Sequence, residues 1–321
     1  MSDALIELLP SVLLEGLLLG CVYAMIALGY TMVYGVLGLI NFAHSEVFMI
    51  GAVAGVEVYR YLGPSISNPY LMAFVAVVVG GVISGGTAVV IERCAYRPLR
   101  RRGSTNRLVP LITAIGVSFL LQDLVRLIEG LWHGEFYMNY PSDARLEQLH
   151  DLPLGMSIQV KSIFVLVVTT AMLFGLNHLV RRTRLGKAMR AVAQDLPTAS
   201  LMGIDPDRII SRTFLIGGAL GGVAGVLFGL MYGQINPFVG FAPGIKAFTA
   251  AVLGGIGNIY GAVLGGLILG VMETTGGTYL FFMTNGAVGN EYKDVVSFLI
   301  LVLLLLFRPQ GLLGKAQVDK V

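Results

Sequence analysis

The chain has 321 residues, of which 55% are hydrophobic and only 13% are charged, and its mean hydropathy is +0.79. This excludes a soluble protein, because too few polar residues are present to cover the surface of one. It also excludes intrinsic disorder, which needs low hydrophobicity and high charge. Two cysteines cannot form a disulfide framework, so the composition predicts an integral membrane protein with no large soluble domain.

Eight apolar runs follow one another along the chain. A transmembrane helix needs about 20 mostly apolar residues, and long apolar runs without alternation favour helices. We therefore predict an all-α fold, a polytopic transmembrane helical bundle that forms one domain over residues 1–321. The runs are Val12–Val36, Ser45–Tyr61, Tyr70–Ile91, Leu108–Ile128, Ile163–Val180, Thr213–Tyr232, Ala247–Met272 and Val295–Phe307, the last of which extends back through Tyr292 and Lys293.

Charge sets the expected orientation of these segments. Basic residues cluster in 93–107, 181–212 and 308–320, and the positive-inside rule assigns all three regions to the cytoplasm. The loop 131–161 is acidic on balance and rich in aromatic residues, which is typical of an external loop at the membrane interface.

The run Ala247–Met272 conflicts with this orientation if it is one full span, because Arg308 would then lie outside. We predict instead that Ala247–Met272 is re-entrant, entering and leaving on the same side, with a break at the glycines of Gly254–Asn258. The alternative is a kinked full span that departs from the orientation rule.

Glycines recur every four residues in the sixth run. This spacing places them on one helix face and lets another backbone approach closely. We expect tight helix packing within the chain; an interface between subunits is the alternative. The repeated residues are Gly217, Gly221, Gly225 and Gly229.

Two segments rich in glycine interrupt apolar runs, one in each half of the chain. The first, Gly35–Glu46, contains Asn41, His44 and Glu46, and the second ends at Asn258. Paired interruptions of this kind point to a transport pathway near the middle of the membrane. For His44 and Glu46, the alternative is a helix-capping role at the membrane interface.

The segment 181–212 is the longest polar stretch on the predicted cytoplasmic side. Its apolar residues have helical spacing from Leu185 to Leu196. Asp195 can cap a second short helix that stops at Gly203, and Asp205 with Pro206 begins the next long helix. A structured element here predicts docking to a soluble partner; a loop that binds anionic lipid is the alternative.

The sequence contains no residue pattern that predicts a catalytic site or a metal site. None of the four histidines lies four residues from another, and no arrangement of nucleophile and base is recognisable. The run Gly311–Ala316 lacks both the spacing and the hydroxyl residue of a P-loop. We therefore expect neither a metal site, nor a cofactor, nor nucleic-acid binding in this chain.

Four motifs resemble the permeases of ABC importers for branched-chain amino acids. They cover nearly the whole chain, in the order found in that family, and are closest to the first of its two permease types. The one departure is Ser45, where the family usually has glycine. The motifs are 29–31 with 40–46, 186–195 with 199–204, Val252–Asn258 and Phe307–Leu312.

This resemblance implies an inner-membrane permease that pairs with a second permease subunit within the lipid bilayer. Two ATP-binding subunits would hold ATP and Mg²⁺ below the pair, and a periplasmic binding protein would deliver the substrate. The resemblance also implies that Asp195–Gly203 is the coupling helix, so Arg190, Asp195, Ala199 and Gly203 are expected to couple ATPase closure to alternating access.

The expected function is therefore that of a permease subunit in an ATP-driven importer of branched-chain amino acids. Permeases for urea or short amides belong to the same wider family and remain an alternative. A secondary transporter that works alone would also use paired broken segments. An intramembrane enzyme would need convergent catalytic groups, and His44 with Glu46 is too little for one.

Overall fold

The computed structural model describes residues 2–39, 41–101, 108–141, 143–151, 157–284, 286–287, 292–308 and 310–314. Arg102, Arg107, Lys315 and Lys320, which belong to the predicted basic clusters, lie outside the described residues, as do Ile40 and Pro309 of the motifs. The helices are α1 (Ser2–Leu37), α2 (His44–Leu62), α3 (Pro69–Ile91), α4 (Arg97–Arg101), α5 (Leu108–Trp132), α6 (Val160–Arg182), α7 (Arg184–Gln194), α8 (Leu196–Leu201), α9 (Pro206–Tyr232), α10 (Phe241–Gly254), α11 (Ile259–Met283) and α12 (Lys293–Phe307).

The predicted all-α, polytopic fold is confirmed. In the described part of the chain, six helical stretches are long and apolar enough to cross a membrane. The second of them joins α3 to α4 without interruption through a π-helical turn, Glu92–Tyr96. The stretches are Leu8–Leu37, Pro69–Arg101, Leu108–Trp132, Val160–Arg182, Pro206–Tyr232 and Ile259–Met283.

The two ends of the bundle differ in character. At one end, which we call the basic end, α4 meets the first turn of α9, and α7 and α8 connect α6 to α9. At the other, which we call the strand end, β1 (Met138–Asn139) pairs antiparallel with β4 (Gln234–Ile235). Between α5 and α6, β2 (Leu149–Asp151) also pairs antiparallel with β3 (Ser157–Gln159).

The run Ala247–Met272 is a hairpin of two antiparallel helices. It breaks after Gly254, as predicted, and α10 and α11 then pack against each other so closely that a Cβ on Gly265 would lie 2.0 Å from the Ala250 carbonyl oxygen. The ends of the run lie on the same side, because Lys246 Nζ is 2.8 Å from Glu273 Oε1. The turn extends to the basic end, where Arg181 stacks on Tyr260 with its guanidinium carbon 4.5 Å from the ring centre. The orientation conflict at Arg308 therefore disappears.

The four-residue glycine repeat of α9 forms its contact face toward α1 and α2. A Cβ on Gly217 would meet the Gly29 carbonyl oxygen at 3.3 Å, and one on Gly225 would meet the Phe48 carbonyl oxygen at 2.1 Å. Gly221 faces the His44 ring, and Gly229 faces the ring of Tyr140. These contacts all lie within the chain, so the repeat lets backbones and rings pack closely inside the subunit.

Helices α1 and α11 are joined in the same way. A Cβ on Gly270 would lie 2.3 Å from the Gly20 backbone nitrogen, and one on Gly266 would lie 2.5 Å from the Ala24 Cα. On α5 and α6 the situation is reversed: a Cβ on Gly116, Gly130 or Gly175 would have no neighbour within 4 Å in the described structure.

Candidate functional site

Glu46 is the centre of a polar cluster inside the membrane region. It lies in the first turn of α2 and is fully buried, with 0% of its surface exposed. Its Oε1 accepts hydrogen bonds from Ser118 Oγ at 2.9 Å and Gln122 Nε2 at 2.8 Å, both on α5, and lies 3.1 Å from Ser45 Oγ. Its Oε2 has no hydrogen-bond partner among the described residues. The carboxylate therefore holds α5 beside the start of α2.

A cavity of about 630 Å³ lies between the start of α2, one face of α5 and the start of α10. Ser45, whose hydroxyl lies 2.8 Å from the Phe42 carbonyl oxygen as well as 3.1 Å from Glu46, lines it together with Ser118, Gln122 and Tyr30. Its size falls within the range of about 300–1,000 Å³ that is typical of small-molecule sites. The apolar part of the wall consists of Phe42, Ile115, Phe119, Phe238, Phe241, Ala242 and Ile245.

His44 and Asn41 lie next to this cluster. His44 is beside Gly221, near the midpoint of α9, so α2 begins deep inside the bundle. Its ring contacts Tyr30 edge to face, with ring centres 4.8 Å apart, and its Nε2 has no partner among the described residues. Asn41 Oδ1 accepts from the Ala43 amide at 3.1 Å and the Tyr96 hydroxyl at 2.7 Å. Asn41 thus fixes the turn before α2.

Ser45 fits this position without backbone strain. It lies in a helical turn, where φ is negative, so the glycine usual in the family is not needed for its conformation. Gly240 and Gly244 make the room: a Cβ on Gly240 would lie 2.3 Å from the Ser45 carbonyl oxygen, and one on Gly244 would lie 2.4 Å from the Ser45 Cβ.

Asn258 was predicted to share a pathway with these residues, but the structure places it at the basic end. Its Oδ1 caps α11 by accepting from the Tyr260 and Gly261 amides at 3.0 and 3.3 Å. Its Nδ2 donates to the Leu313 carbonyl oxygen at 2.9 Å. An asparagine that follows a broken helix is a strong N-cap for the next one, and this local role accounts for its position.

The predicted cytoplasmic segment forms α7 and α8. Asp195 caps α8, its Oδ1 accepting from the Thr198 amide at 3.0 Å, and this hydrogen bond holds the pKa of the Asp195 carboxyl below its usual value. Ala199 is buried, Arg190 donates to the Val180 carbonyl oxygen, and Gly203 takes a positive φ of +81° that favours glycine. All four residues therefore shape the segment.

The large apolar side chains exposed at α8 are not among these four residues. Leu201 and Met202 are 87% and 78% exposed at the end of this short helix, and Leu196 at its start is also exposed. Sequence reasoning chose the capping residues and missed this apolar pair. The available signal was the position of the pair, directly before the helix-terminating Gly203.

An ion-pair cluster joins α4 to the first turn of α9, next to α8. Asp207 accepts from Arg97 at 2.7 Å, Arg100 at 2.5 Å and Arg101 at 2.9 Å. Behind it, the buried Glu92 of the π-helical turn accepts from Ser211 Oγ at 2.6 Å and from Arg100 at 3.3 Å. The first turn of α9 is thereby tied to α4 and to the end of α3.

Two further charged clusters lie toward the strand end. Lys246 is buried between Glu273 at 2.8 Å and Asp294 at 2.6 Å, which ties α10, α11 and α12 together. The ligand atoms of Glu57, Glu129 and His133 lie within 4.8 Å of one another, the spacing of a metal site.

Arg60 occupies that second cluster. Its guanidinium is 2.9 Å from Glu57 and 3.4 Å from Glu129, and it also pairs with Glu135. The carboxylates are therefore used by an internal cation, and the group fits an ion-pair network better than a metal centre.

Ser118 and Gln122 were not identified from the sequence. With Ile115 and Phe119 they follow the spacing i, i+3, i+4, i+7, so they form one stripe on α5. Two polar side chains four residues apart on one face of an otherwise apolar helix were the signal that could have revealed them.

Comparisons with known proteins agree along the whole chain. The family model described as "Branched-chain amino acid transport system / permease component" matches residues 12–305. The chain is 46% identical to the high-affinity branched-chain amino acid transport system permease protein BraD of Pseudomonas aeruginosa, over 96% of this chain and 97% of the relative.

Two relatives from Escherichia coli K12 differ in their similarity to the chain. The high-affinity branched-chain amino acid transport system permease protein LivH is 44% identical, over 96% of each chain. The permease protein LivM of the corresponding system is 24% identical, over 91% of this chain and 68% of the relative. No solved structure matches the chain.

Proposed function

The chain belongs to the family of branched-chain amino acid transport permeases, and from this premise we propose that it is the membrane-spanning permease subunit of an ATP-driven importer of branched-chain amino acids. The observation that carries the proposal is the similarity to permeases of that system over nearly the full length of both chains. The family consists of transport components, so the multi-pass chain is a transporter subunit rather than an enzyme.

The proposed assembly follows from the names of the relatives and from the chain itself. Similarity to both LivH and LivM supports pairing with a second, related permease. Because this sequence carries no P-loop, ATP and Mg²⁺ would be held by two separate ATP-binding subunits. A periplasmic binding protein would supply the substrate at the strand end, and the inner membrane would be the location.

Coupling is proposed to run through α8. Its exposed Leu201 and Met202 would insert into a groove of the ATP-binding subunit, and Asp195 and Gly203 would hold the helix in shape for that contact. Closure of the ATP-binding pair would then move α8, and the Asp207 ion pairs would pass the movement on to α4 and the end of α3.

The test is leucine uptake by the reconstituted complex carrying Met202→Glu. A charge placed in an apolar groove loses its hydration without gaining a partner, so uptake should fall at least about tenfold while the permease still inserts into the membrane. The matched control is Met283→Glu. It changes a similarly exposed methionine at the last residue of α11, far from α8, and should leave uptake unchanged. Normal uptake by Met202→Glu would remove α8 from the coupling contact.

A further inference from the structure

Four glutamates are buried in the described part of the bundle, and three of them are paired with a cation. Glu92 lies 3.3 Å from Arg100, Glu129 lies 3.4 Å from Arg60, and Glu273 lies 2.8 Å from Lys246. Glu46 has only neutral hydrogen-bond donors among the described residues. Because an uncompensated carboxylate inside a membrane protein is costly, the position of Glu46 would stabilise a cation that is not part of this chain.

The hydrogen bonds to Glu46 determine what its neighbours offer to the cavity. Ser118 uses its only hydroxyl proton for Glu46, so its lone pairs are the groups left to bind a ligand. Gln122 donates one N–H of its side-chain amide to Glu46, which leaves its carbonyl oxygen as an acceptor and its second N–H as a donor. Both side chains line the cavity. The polar wall therefore presents acceptor oxygens in front of a buried carboxylate, an environment that suits an ammonium group.

The rest of the wall is apolar. Phe42, Phe119, Phe238 and Phe241, together with Ile115 and Ile245, surround the space beside the polar patch. A ligand that matches both parts has an ammonium group next to a branched aliphatic chain. Urea and short amides have no ammonium group, and their apolar surface is too small to contact all of this apolar lining.

We propose that this cavity is the intramembrane binding site for the branched-chain amino acid, in which Ser118 and Gln122 receive the α-ammonium group in front of Glu46 and the aromatic and isoleucine side chains receive the aliphatic part. The proposal rests on the permease function proposed above and adds a specificity-determining site within this subunit. Substrate selection is thereby made twice, once by the binding protein and once in the membrane.

The experiment uses the complete complex in proteoliposomes with a saturating amount of leucine-loaded binding protein, and it measures leucine transported per ATP hydrolysed. Glu46→Gln keeps the shape and the acceptor oxygen but removes the charge, and Ile115→Trp fills the apolar part. Both should lower the ratio: Glu46→Gln by about tenfold or more, the loss expected for one charged hydrogen bond, and Ile115→Trp because the indole occupies the space of the substrate side chain. Leu120→Trp is the control, since this exposed residue of α5 is outside the cavity lining and should transport like the wild type.

The outcomes separate the two levels of the proposal. A wild-type complex without ATP-dependent leucine uptake contradicts the permease function itself. Wild-type uptake with an unchanged ratio in both Glu46→Gln and Ile115→Trp overturns the cavity. An unchanged ratio in Glu46→Gln alone overturns ammonium recognition. If either variant fails to assemble, Ser118→Ala decides, because it removes one acceptor from the wall and should lower the ratio, whereas an unchanged ratio counts against the site.

Discussion

Replacing Gly225 by alanine tests how closely α9 and α2 are packed. The added Cβ would lie 2.1 Å from the Phe48 carbonyl oxygen and 2.8 Å from the Ala52 nitrogen. Since a carbon and a carbonyl oxygen make contact at about 3.3 Å, the helices must separate by about 1 Å. Both neighbours are backbone atoms that no side-chain rotation can move, so the cost lies near the upper end for overpacking, about 3 kcal/mol. The higher helix propensity of alanine offsets about 1 kcal/mol of this cost, so the free energy of unfolding should fall by about 2 kcal/mol.

The matched substitution is Gly175→Ala on α6, where the Cβ meets nothing within 4 Å in the described structure. In this variant only the helix propensity changes, so the free energy of unfolding should rise by about 1 kcal/mol. The assay is thermal unfolding of the detergent-solubilised protein, followed by fluorescence-detected size-exclusion chromatography. With roughly 2–4 °C for each kcal/mol, Tm should fall by about 4–8 °C for Gly225→Ala and rise by about 2–4 °C for Gly175→Ala. A higher Tm for Gly225→Ala would show that the two backbones are not in contact.

Three further outcomes are expected. An impermeant thiol reagent should label Thr278→Cys from the periplasm and Asn258→Cys from the cytoplasm, because α11 connects the two ends of the bundle; labelling of both from one face would contradict the hairpin. Asp195→Ala should destabilise α8 by about 1 kcal/mol and speed its amide hydrogen exchange, whereas Asp195→Asn keeps an acceptor and should exchange nearly like the wild type. Asp207→Asn should lower Tm by several degrees by leaving three arginines without their shared carboxylate. The same change at Asp205, whose ion pair with one arginine is exposed, should have little effect, and equal effects at both sites would rule out a special role for the cluster.

Much of the fold could be predicted because length and hydropathy decide whether a segment can span a membrane. The predicted run Leu108–Ile128 falls within α5, and the predicted helix start at Asp205 and Pro206 is where α9 begins. Helix α10 was harder to delimit from sequence, because the charge of Lys246 ends the apolar run. That charge is neutralised by Glu273 and Asp294, which are distant in sequence, so the pairing is visible only in the folded chain.

The site was predictable in part for a similar reason. His44 and Glu46 stood out because ionisable residues are rare in apolar surroundings. Ser118 and Gln122 are uncharged, and their role depends on which face of α5 turns toward α2, which no local pattern determines. Asn258 was grouped with the pathway because it follows a glycine break. Its side chain is used for capping α11 and holding Leu313, so that resemblance between the two breaks is local chemistry rather than shared position.

The glycine contacts also divide the molecule mechanically. Backbones touch between α1 and α11 and between α2 and α9. Each of these pairs behaves as one rigid unit, because sliding one helix along the other by less than a full turn would make carbonyl groups clash. Helices α5 and α6 carry glycines that meet nothing in the described structure, so no such interlock restrains them. One wall of the cavity thus belongs to the glycine-packed part, and the other, on α5, is held to α2 by the hydrogen bonds to Glu46 and by the ion pair of Glu129 with Arg60. The cavity therefore lies between a wall of interlocked backbones and a wall that side-chain contacts hold in place.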